Sequence, residues 1–237
     1  MLIKDSEHEE TVEEVFDRTT VMTIYKLMNA GVIGEFKGVV SAGKEARVYA
    51  ATDSEGNPIA VKIFLTKTAE FRRGRMKYIL GDPRFEGMRL ADRNIVYAWA
   101  AKEYKNLKLA YEAGAYVPRP IKQEKNVLVM EFIGENFTPA PILKDLPRVT
   151  EYMFLQVLRQ VRILYRRAGL VHADLSEYNI FYYKRKPILF DFGQAVLTSH
   201  PNAEAYLVRD ISNVIQFFRE RGVAVLDLDT ALEYVKA

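Results

Sequence analysis

The stretch His172-Ala173-Asp174-Leu175-Ser176-Glu177-Tyr178-Asn179, followed twelve residues beyond its last member by Asp191-Phe192-Gly193, most restricts how this chain can fold. A helical run leads into it. Phe154, Val157, Leu158, Val161 and Leu164 recur at helix spacing between a capping Thr150 and Gly169. Between its two halves, Asn179 to Tyr183 and Pro187 to Phe190 read as the strands of a hairpin. Such a hairpin holds Asn179 and Asp191 at adjacent strand ends, next to the loop that carries Asp174. Helix, loop and hairpin therefore form one unit that gathers oxygen-bearing side chains at one point, and Asn179 and Asp191 are hard oxygen ligands of the kind magnesium prefers. The competing local reading has Asp174 and Asn179 merely capping the next turn, with Asp191 closing the hairpin.

Upstream the pattern changes several times. Residues 1 to 19 are acidic and polar, after which Thr20 opens a helix with Val21, Ile24 and Met28 on one side, ending near Gly31. Val48-Tyr49-Ala50-Ala51 and Ile59-Ala60-Val61-Lys62-Ile63 form a β-hairpin around the turn segment Asp53-Ser54-Glu55-Gly56-Asn57. Residues 66 to 93 hold eight basic side chains, with Gly81-Asp82-Pro83 among them and no clean period, and read as a long insertion. Contact with phosphates of RNA or of ATP is one use for such a run, but it lacks interleaved aromatics, which favours a solvated loop. From Asn94 to Ala113, Trp99, Glu103, Leu107 and Ala110 share a helix face that Gly114 terminates. Val127 to Ile133 is a buried strand ending at Gly134, and Pro139, Pro141 and Pro147 mark an irregular connection at a lobe boundary. A helix from Asn202 to Arg219 and a shorter one after Asp227 complete the chain.

The whole chain excludes several classes of protein. With no cysteine, disulfides and thiolate metal sites are absent. No apolar run is long enough to span a bilayer, and the N-terminus, where Lys4 meets Asp5, Glu7, Glu9 and Glu10, is not a secretory signal. A soluble, intracellular protein is expected. The net charge of +3 permits a nucleic-acid-containing partner without arguing for one.

In protein kinases H-x-D-L-x-x-x-N supplies a proton acceptor and a metal ligand, and D-F-G supplies the second ligand. On that template Asp174 accepts the proton of an attacking hydroxyl, and Asn179 and Asp191 bind the metal. His172 is better read as a hydrogen-bonding prop of the loop. Ile59-Ala60-Val61-Lys62 matches the strand whose lysine neutralises the α- and β-phosphates. Glu103, on the inward helix face, is favoured over Glu112 as its ion-pair partner. Gly38 to Val48 occupies the place of the glycine-rich phosphate loop, with Ser41 and Ala46 where two glycines would stand and Gly43 and Val48 matching, so backbone can still approach phosphate. Met130-Glu131-Phe132-Ile133 becomes the hinge, where adenine would bond the backbone of Glu131 and Ile133, with Val48, Ala60 and Met130 lining an apolar slot.

These residues resemble the RIO atypical serine/threonine protein kinases, and within them the RIO-one subfamily. The resemblance covers nearly the whole chain. It rests on Ser41-Ala42-Gly43-Lys44-Glu45-Ala46, Gly81-Asp82-Pro83-Arg84-Phe85, His172 to Asn179, and Asp191-Phe192-Gly193-Gln194-Ala195. It implies an α+β, two-lobed, truncated protein-kinase-like fold with an extra N-terminal helix: an extension over 1–35, an N-lobe over 36–134 that includes the basic insertion at 66–93, and a reduced C-lobe over 135–237. It further implies ATP with magnesium or manganese, with Ser41, Gly43, Lys44, Lys62, Glu103, Glu131 and Ile133 around the nucleotide. Autophosphorylation on serine, a cytoplasmic location and association with the precursor of the small ribosomal subunit, its rRNA and proteins, are implied as well. In this family the metal-binding aspartate is associated with an aspartyl-phosphate, so Asp191 is expected to share in the chemistry. The alternative is an ATP-gated assembly factor whose hydrolysis drives release. No A-P-E motif follows Asp191, only 44 residues remain after Gly193, and Ser176 stands where most protein kinases carry a lysine, so slow turnover on free peptides is expected. An aminoglycoside-phosphotransferase-type enzyme shares H-x-D-x-x-x-x-N, but the short C-terminal part and the S-x-G-K-E-A loop count against it.

Overall fold

The structure, a computed structural model, describes residues 17–66, Tyr78 and residues 92–237. The acidic N-terminal stretch and nearly all of the basic insertion, including Gly81-Asp82-Pro83, lie outside the described residues. The first helix, α1 (Arg18–Asn29), is capped by Asp17 and not by Thr20, because the Asp17 carboxylate accepts both the backbone N–H and the hydroxyl of Thr20, each at 2.8 Å. Thr20, Thr23 and Leu27 are its buried positions; of Val21, Ile24 and Met28, grouped on one side by their spacing, the first two pack half-buried against the core and Met28 is exposed.

A five-stranded antiparallel sheet of order β1-β2-β3-β5-β4 follows. Its strands are β1 (Phe36–Ala42), β2 (Ala46–Thr52), β3 (Pro58–Phe64), β4 (Pro120–Glu124) and β5 (Val127–Glu131). The expected hairpin is β2 with β3, in register from Ala46↔Phe64 to Thr52↔Pro58. Strand alternation then divides β3 between two faces. Ile59, Val61 and Ile63 join Leu27 and Ile33 in a core under α1, so Ala60, Lys62 and Phe64 point to the opposite side. The strand expected over Val127 to Ile133 ends at Glu131, and β4, a polar edge strand, has too little hydrophobic pattern to be read in advance.

Behind the sheet runs α2 (Asp92–Glu112), whose Trp99, Ala100, Leu107 and Ala110 belong to a large core cluster. Gly114, at φ +82°, ends it in the left-handed region that suits glycine. After two short strands, β6 (Gly134–Glu135) and β7 (Thr138–Pro139), comes α3 (Glu151–Ile163), capped by Thr150 as expected. It continues through a π-turn at Leu164–Ala168 and stops at Gly169, φ +64°. Strands β8 (Leu170–Val171) and β11 (Val196–Leu197) pair and pinch the base of the segment between them. Inside it lies the expected second hairpin, β9 (Ile180–Tyr183) with β10 (Lys186–Leu189). Helices α4 (Ala203–Glu220) and α5 (Leu228–Lys236) follow. One core cluster joins Trp99 and Leu128 to Phe154, Phe192 and Phe218, so α2 packs on both the sheet and the helical part. Among the described residues no helix is long and apolar enough to cross a membrane.

Candidate active site

Between the sheet and the helical part lies a cleft of about 500 Å³, a volume that suits a small organic ligand. Val48, Ala60 and Met130 line it as the sequence suggests, together with Phe132, and Phe181 and Phe190 stack at 4.1 Å on another wall. Ser41 borders it from the end of β1 and Gly43 and Lys44 from the β1–β2 turn, which closes through the Gly43 N–H on the Ala46 carbonyl at 3.0 Å. Glu131 and Ile133 border it from the connection after β5. The Glu131 N–H already donates to the Arg119 carbonyl, and the Ile133 carbonyl accepts from Ala140, both at 2.9 Å.

Lys62 reaches the cleft from the middle of β3 with little exposure. Its Nζ lies 2.7 and 2.9 Å from the two carboxylate oxygens of Glu103 and 3.1 Å from Asp191 Oδ1. Burial by itself would lower the lysine pKa, but the adjacent charges of Asp191 and Glu103 outweigh it and hold the ammonium well above its ordinary value. Glu103 is 2% exposed, whereas its competitor Glu112 pairs with Lys108 at 3.7 Å on the surface. The choice between them follows from helix phase: Glu103 sits one turn beyond Trp99, on the face that α2 turns inward.

The Asp191 segment is clamped to α2. Lys102, fully buried, donates to the carbonyls of Gly193 (2.9 Å) and Ala195, and Asn106 donates to those of Phe192 (3.0 Å) and Ala195 (2.8 Å). A Cβ on Gly193 would stand 2.8 Å from Trp99 Nε1, so only glycine allows this approach. Asp191 itself has φ +65°, a strained setting for a non-glycine residue that aspartate tolerates better than most. Its side chain is 45% exposed and borders the cleft.

Asp174 and Asn179 do not line that cleft and lie beside it, tied to the Asp191 segment. Phe190 donates its N–H to the Asn179 carbonyl at 3.0 Å, and Gln194 donates to Asp174 Oδ2 at 2.8 Å. Asn179 also spans its loop, its Nδ2 donating to the Asp174 carbonyl at 2.7 Å, which leaves the side-chain oxygen as its acceptor group. The loop rests on Asp210 of α4, whose two carboxylate oxygens accept the N–H groups of Ala173 (2.7 Å) and Leu175 (3.0 Å). Burial raises Asp210 to about 7, against the lowering effect of those two amides. Arg209 secures the Ala173 carbonyl, and Ala173 takes φ +62°. His172 is 2% exposed and burial lowers it to about 4. Its Nε2 bonds the Phe190 carbonyl at 3.0 Å and its ring packs on Phe192, the propping arrangement expected of it.

Sequence reasoning missed Asp210, Lys102, Asn106 and Gln194. For the first three a signal existed: each is a polar side chain at helix spacing from buried apolar neighbours, as Asp210 is from Leu207 and Val214. Gln194 has no such mark.

The donor set suits a hard divalent cation. Asp191 offers a carboxylate beside the cleft and Asn179 an amide oxygen at the neighbouring strand end. Among the described residues no three His, Asp or Glu side chains converge as a closed metal site. Magnesium, which binds through one or two protein carboxylates and completes its shell with phosphates and water, is the cation such sparse ligation fits.

The chain matches the RIO domain family over residues 47–231. It is 41% identical over 235 residues to the RIO-type serine/threonine-protein kinase Rio1 of Haloferax volcanii, with 99% of this chain and 80% of that protein covered. The Rio1 of Methanocaldococcus jannaschii is 39% identical over 214 residues, 90% of this chain and 73% of that one. The human serine/threonine-protein kinase RIO1 is 39% identical over 98% of this chain, which spans only 42% of the human protein. Among solved structures, the crystal structure of the Rio2 kinase-ADP/Mg2+-phosphoaspartate complex from Chaetomium thermophilum superposes with a TM-score of 0.69 at 23% identity, over 89% of this chain and 64% of that one. A second Rio2 kinase structure from that organism gives 0.71 at 21% identity, over 91% of this chain and 68% of that one. The fold is thus α+β and kinase-like.

Proposed function

Because the chain belongs to the RIO family, we propose that it is an ATP-dependent atypical serine/threonine protein kinase, autophosphorylating and with ATPase activity, that acts in small ribosomal subunit maturation. The observation that carries the catalytic part is the bond of Lys62 to both Glu103 and Asp191 at the edge of an apolar cleft, with Asp174 and Asn179 tied to the Asp191 segment. In this reading Lys62 neutralises the α- and β-phosphates, and Ser41, Gly43 and Lys44 approach the phosphate chain from the end of β1 and the β1–β2 turn. Adenine enters among Val48, Ala60 and Met130. Since the Glu131 N–H and the Ile133 carbonyl are engaged within the protein, base contacts fall to the Glu131 carbonyl and the Ile133 N–H. Asp174 accepts the proton of the attacking hydroxyl, kept in position by Gln194. Asn179 and Asp191 hold magnesium or manganese, which supplies charge neutralisation on the transferred phosphoryl group.

The partition into an N-terminal extension (1–35), an N-lobe (36–134) and a C-lobe (135–237) is part of this reading. So are the ribosomal precursor as partner and a cytoplasmic location, which rest on family membership. A second reading is favoured by the exposure of Asp191 beside the cleft, 3.1 Å from Lys62. Its carboxylate attacks the γ-phosphorus, the bond to the bridging oxygen breaks and ADP leaves; water then hydrolyses the acyl phosphate to inorganic phosphate. The protein would then serve as an ATP-gated assembly factor with little kinase activity in trans.

Incubation with γ-labelled ATP and magnesium, with and without small-subunit precursors, tests both. Stable protein-bound label on serine supports the kinase. Label released by hydroxylamine, with phosphate appearing in solution, supports the aspartyl-phosphate switch. Absence of both labelled protein and released phosphate refutes the proposal.

A further inference from the structure

A second pocket, of about 480 Å³, opens between α3, the tip of the β9–β10 hairpin and α5. Tyr116, Tyr152 and Tyr234 supply rings to it, and Arg159, Lys184, Arg185 and Lys186 supply positive charge. Among the described residues no carboxylate lines it, and no ion pair to a carboxylate is made by any of these four cations. Tyr152 is 60% exposed, so a large ring is held out where a flat ligand can cover it. The walls are firm. Tyr116 gives its N–H to Gln160 Oε1 at 2.8 Å and its carbonyl accepts from Leu189 at 2.9 Å, while Gln156 holds the Arg185 carbonyl at 3.2 Å.

The hairpin tip is unusual for its chemistry. Tyr183 pairs with Lys186 across a two-residue turn, and both turn residues, Lys184 (φ +49°) and Arg185 (φ +62°), occupy the left-handed region. Asparagine and glycine suit a turn of that kind, and lysine and arginine do not. Two long cations therefore stand at a position that disfavours them, in the same pocket as the exposed Tyr152 ring and away from any acidic partner. Lys186 lies over the Tyr116 ring at 4.8 Å and Lys184 over Tyr183 at 4.9 Å, contacts that leave their charge unneutralised, and a ring beside cations without a carboxylate partner matches a chain of phosphates carrying flat bases. A duplex keeps its bases stacked inside and offers the rings nothing.

We propose that this pocket binds single-stranded nucleic acid, one unstacked base lying against Tyr152 and the flanking phosphates on the four cations. It deepens the reading of an RNA-containing partner and rests on that reading only in naming RNA. The nucleotide cleft is not involved.

The test uses the full chain, a fluorescent single-stranded RNA of about eight nucleotides, and anisotropy over a salt series near roughly 100 mM. The double variant Lys184→Asn/Arg185→Gly removes two charges and installs the residues this turn prefers, so it should melt no lower than the parent. It is expected to bind at least about tenfold more weakly, with the logarithmic salt slope reduced by roughly 1.4, about 0.7 for each lost phosphate contact. Tyr152→Ala should weaken binding by about tenfold with an unchanged salt slope, as loss of stacking requires. Saturating ATP with magnesium should not displace the RNA. Unchanged affinity in both variants, displacement by ATP, or equal affinity for a duplex or a phosphopeptide would overturn the assignment. None of these results bears on ATP chemistry at Lys62 and Asp191, which the labelled-ATP experiment reads separately.

Discussion

Asp174 and Asp210 are both aspartates of one loop system, yet their surroundings assign them different work. Asp174 is half-buried, with an amide donating to it, and Asp210 is 1% exposed beneath the loop, accepting two backbone amides. If Asp174 acts on the acceptor hydroxyl, Asp174→Ala should lower phosphoryl transfer by about 10²- to 10⁴-fold with ATP affinity changed little; single-turnover transfer and calorimetry separate the two. Asp210 and His172 make opposite demands on pH. Asp210, raised to about 7, binds its proton more readily folded than unfolded, so its contribution to stability falls as pH rises between the ordinary carboxylate value and 7. His172, lowered to about 4, binds its proton less readily folded, so its contribution falls as pH drops from 6.5 to 4. The two slopes oppose each other over that window. In Asp210→Asn the His172 slope should stand alone, and urea unfolding across pH 4 to 7 should show stability rising with pH more steeply than in the parent. An unchanged slope would contradict a raised Asp210.

Helix α2 carries more of the site than its one glutamate. Along two successive turns it supplies Trp99 against Gly193, Lys102 and Glu103, and then Asn106. These side chains hold the Asp191 segment at a fixed height on the sheet, so the position of Asp191 relative to Lys62 depends on the register of a helix remote from it in sequence. Asn106→Leu leaves the carbonyls of Phe192 and Ala195 without this donor at a fully buried position. The loss is expected to cost about 1–3 kcal/mol, a melting temperature lower by roughly 2–12 °C for a chain of this size. Transfer should fall further than stability alone explains, because the Asp191 turn loosens while Lys62 and Glu103 stay paired. Differential scanning calorimetry and single-turnover transfer on the same variant check both parts.

The sheet and the helical part share one core through α2, and the cleft between them is bordered from both sides: Lys62 and Met130 from the sheet, Asp191 and Phe181 from beyond the hinge. A ligand in that cleft bonds to both halves and should stabilise the folded molecule as a unit. ATP with magnesium at about 100 times its dissociation constant is expected to add roughly 2.7 kcal/mol and raise the melting temperature by about 5–10 °C. Chelation of the cation should remove most of that gain if Asn179 and Asp191 bind it. A melting temperature indifferent to ATP would refute nucleotide binding in the cleft.

Much of this was legible in the amino-acid order because it is written in local terms. The short strand Ile59 to Lys62 marked Lys62 by its likeness to V-A-I-K, helix spacing from Thr150 to Gly169 announced α3, and short segments announced the β9–β10 hairpin that brings Asn179 close to Phe190 and Asp191. Side chains that work through backbone groups distant in sequence were not legible. Asp210 holds amides of Ala173 and Leu175, and Lys102 and Asn106 hold carbonyls of residues 192 to 195, pairings that span 35 to 93 positions and follow no period. The start of the first helix is different, for the Asp17 cap is a contact with Thr20 three residues on and so was open to a local reading. Periodicity shows which residues share a face. What that face meets, and hence which buried polar groups find partners, is settled by packing between segments far apart in the chain, where an unpaired amide or carbonyl is too costly to leave.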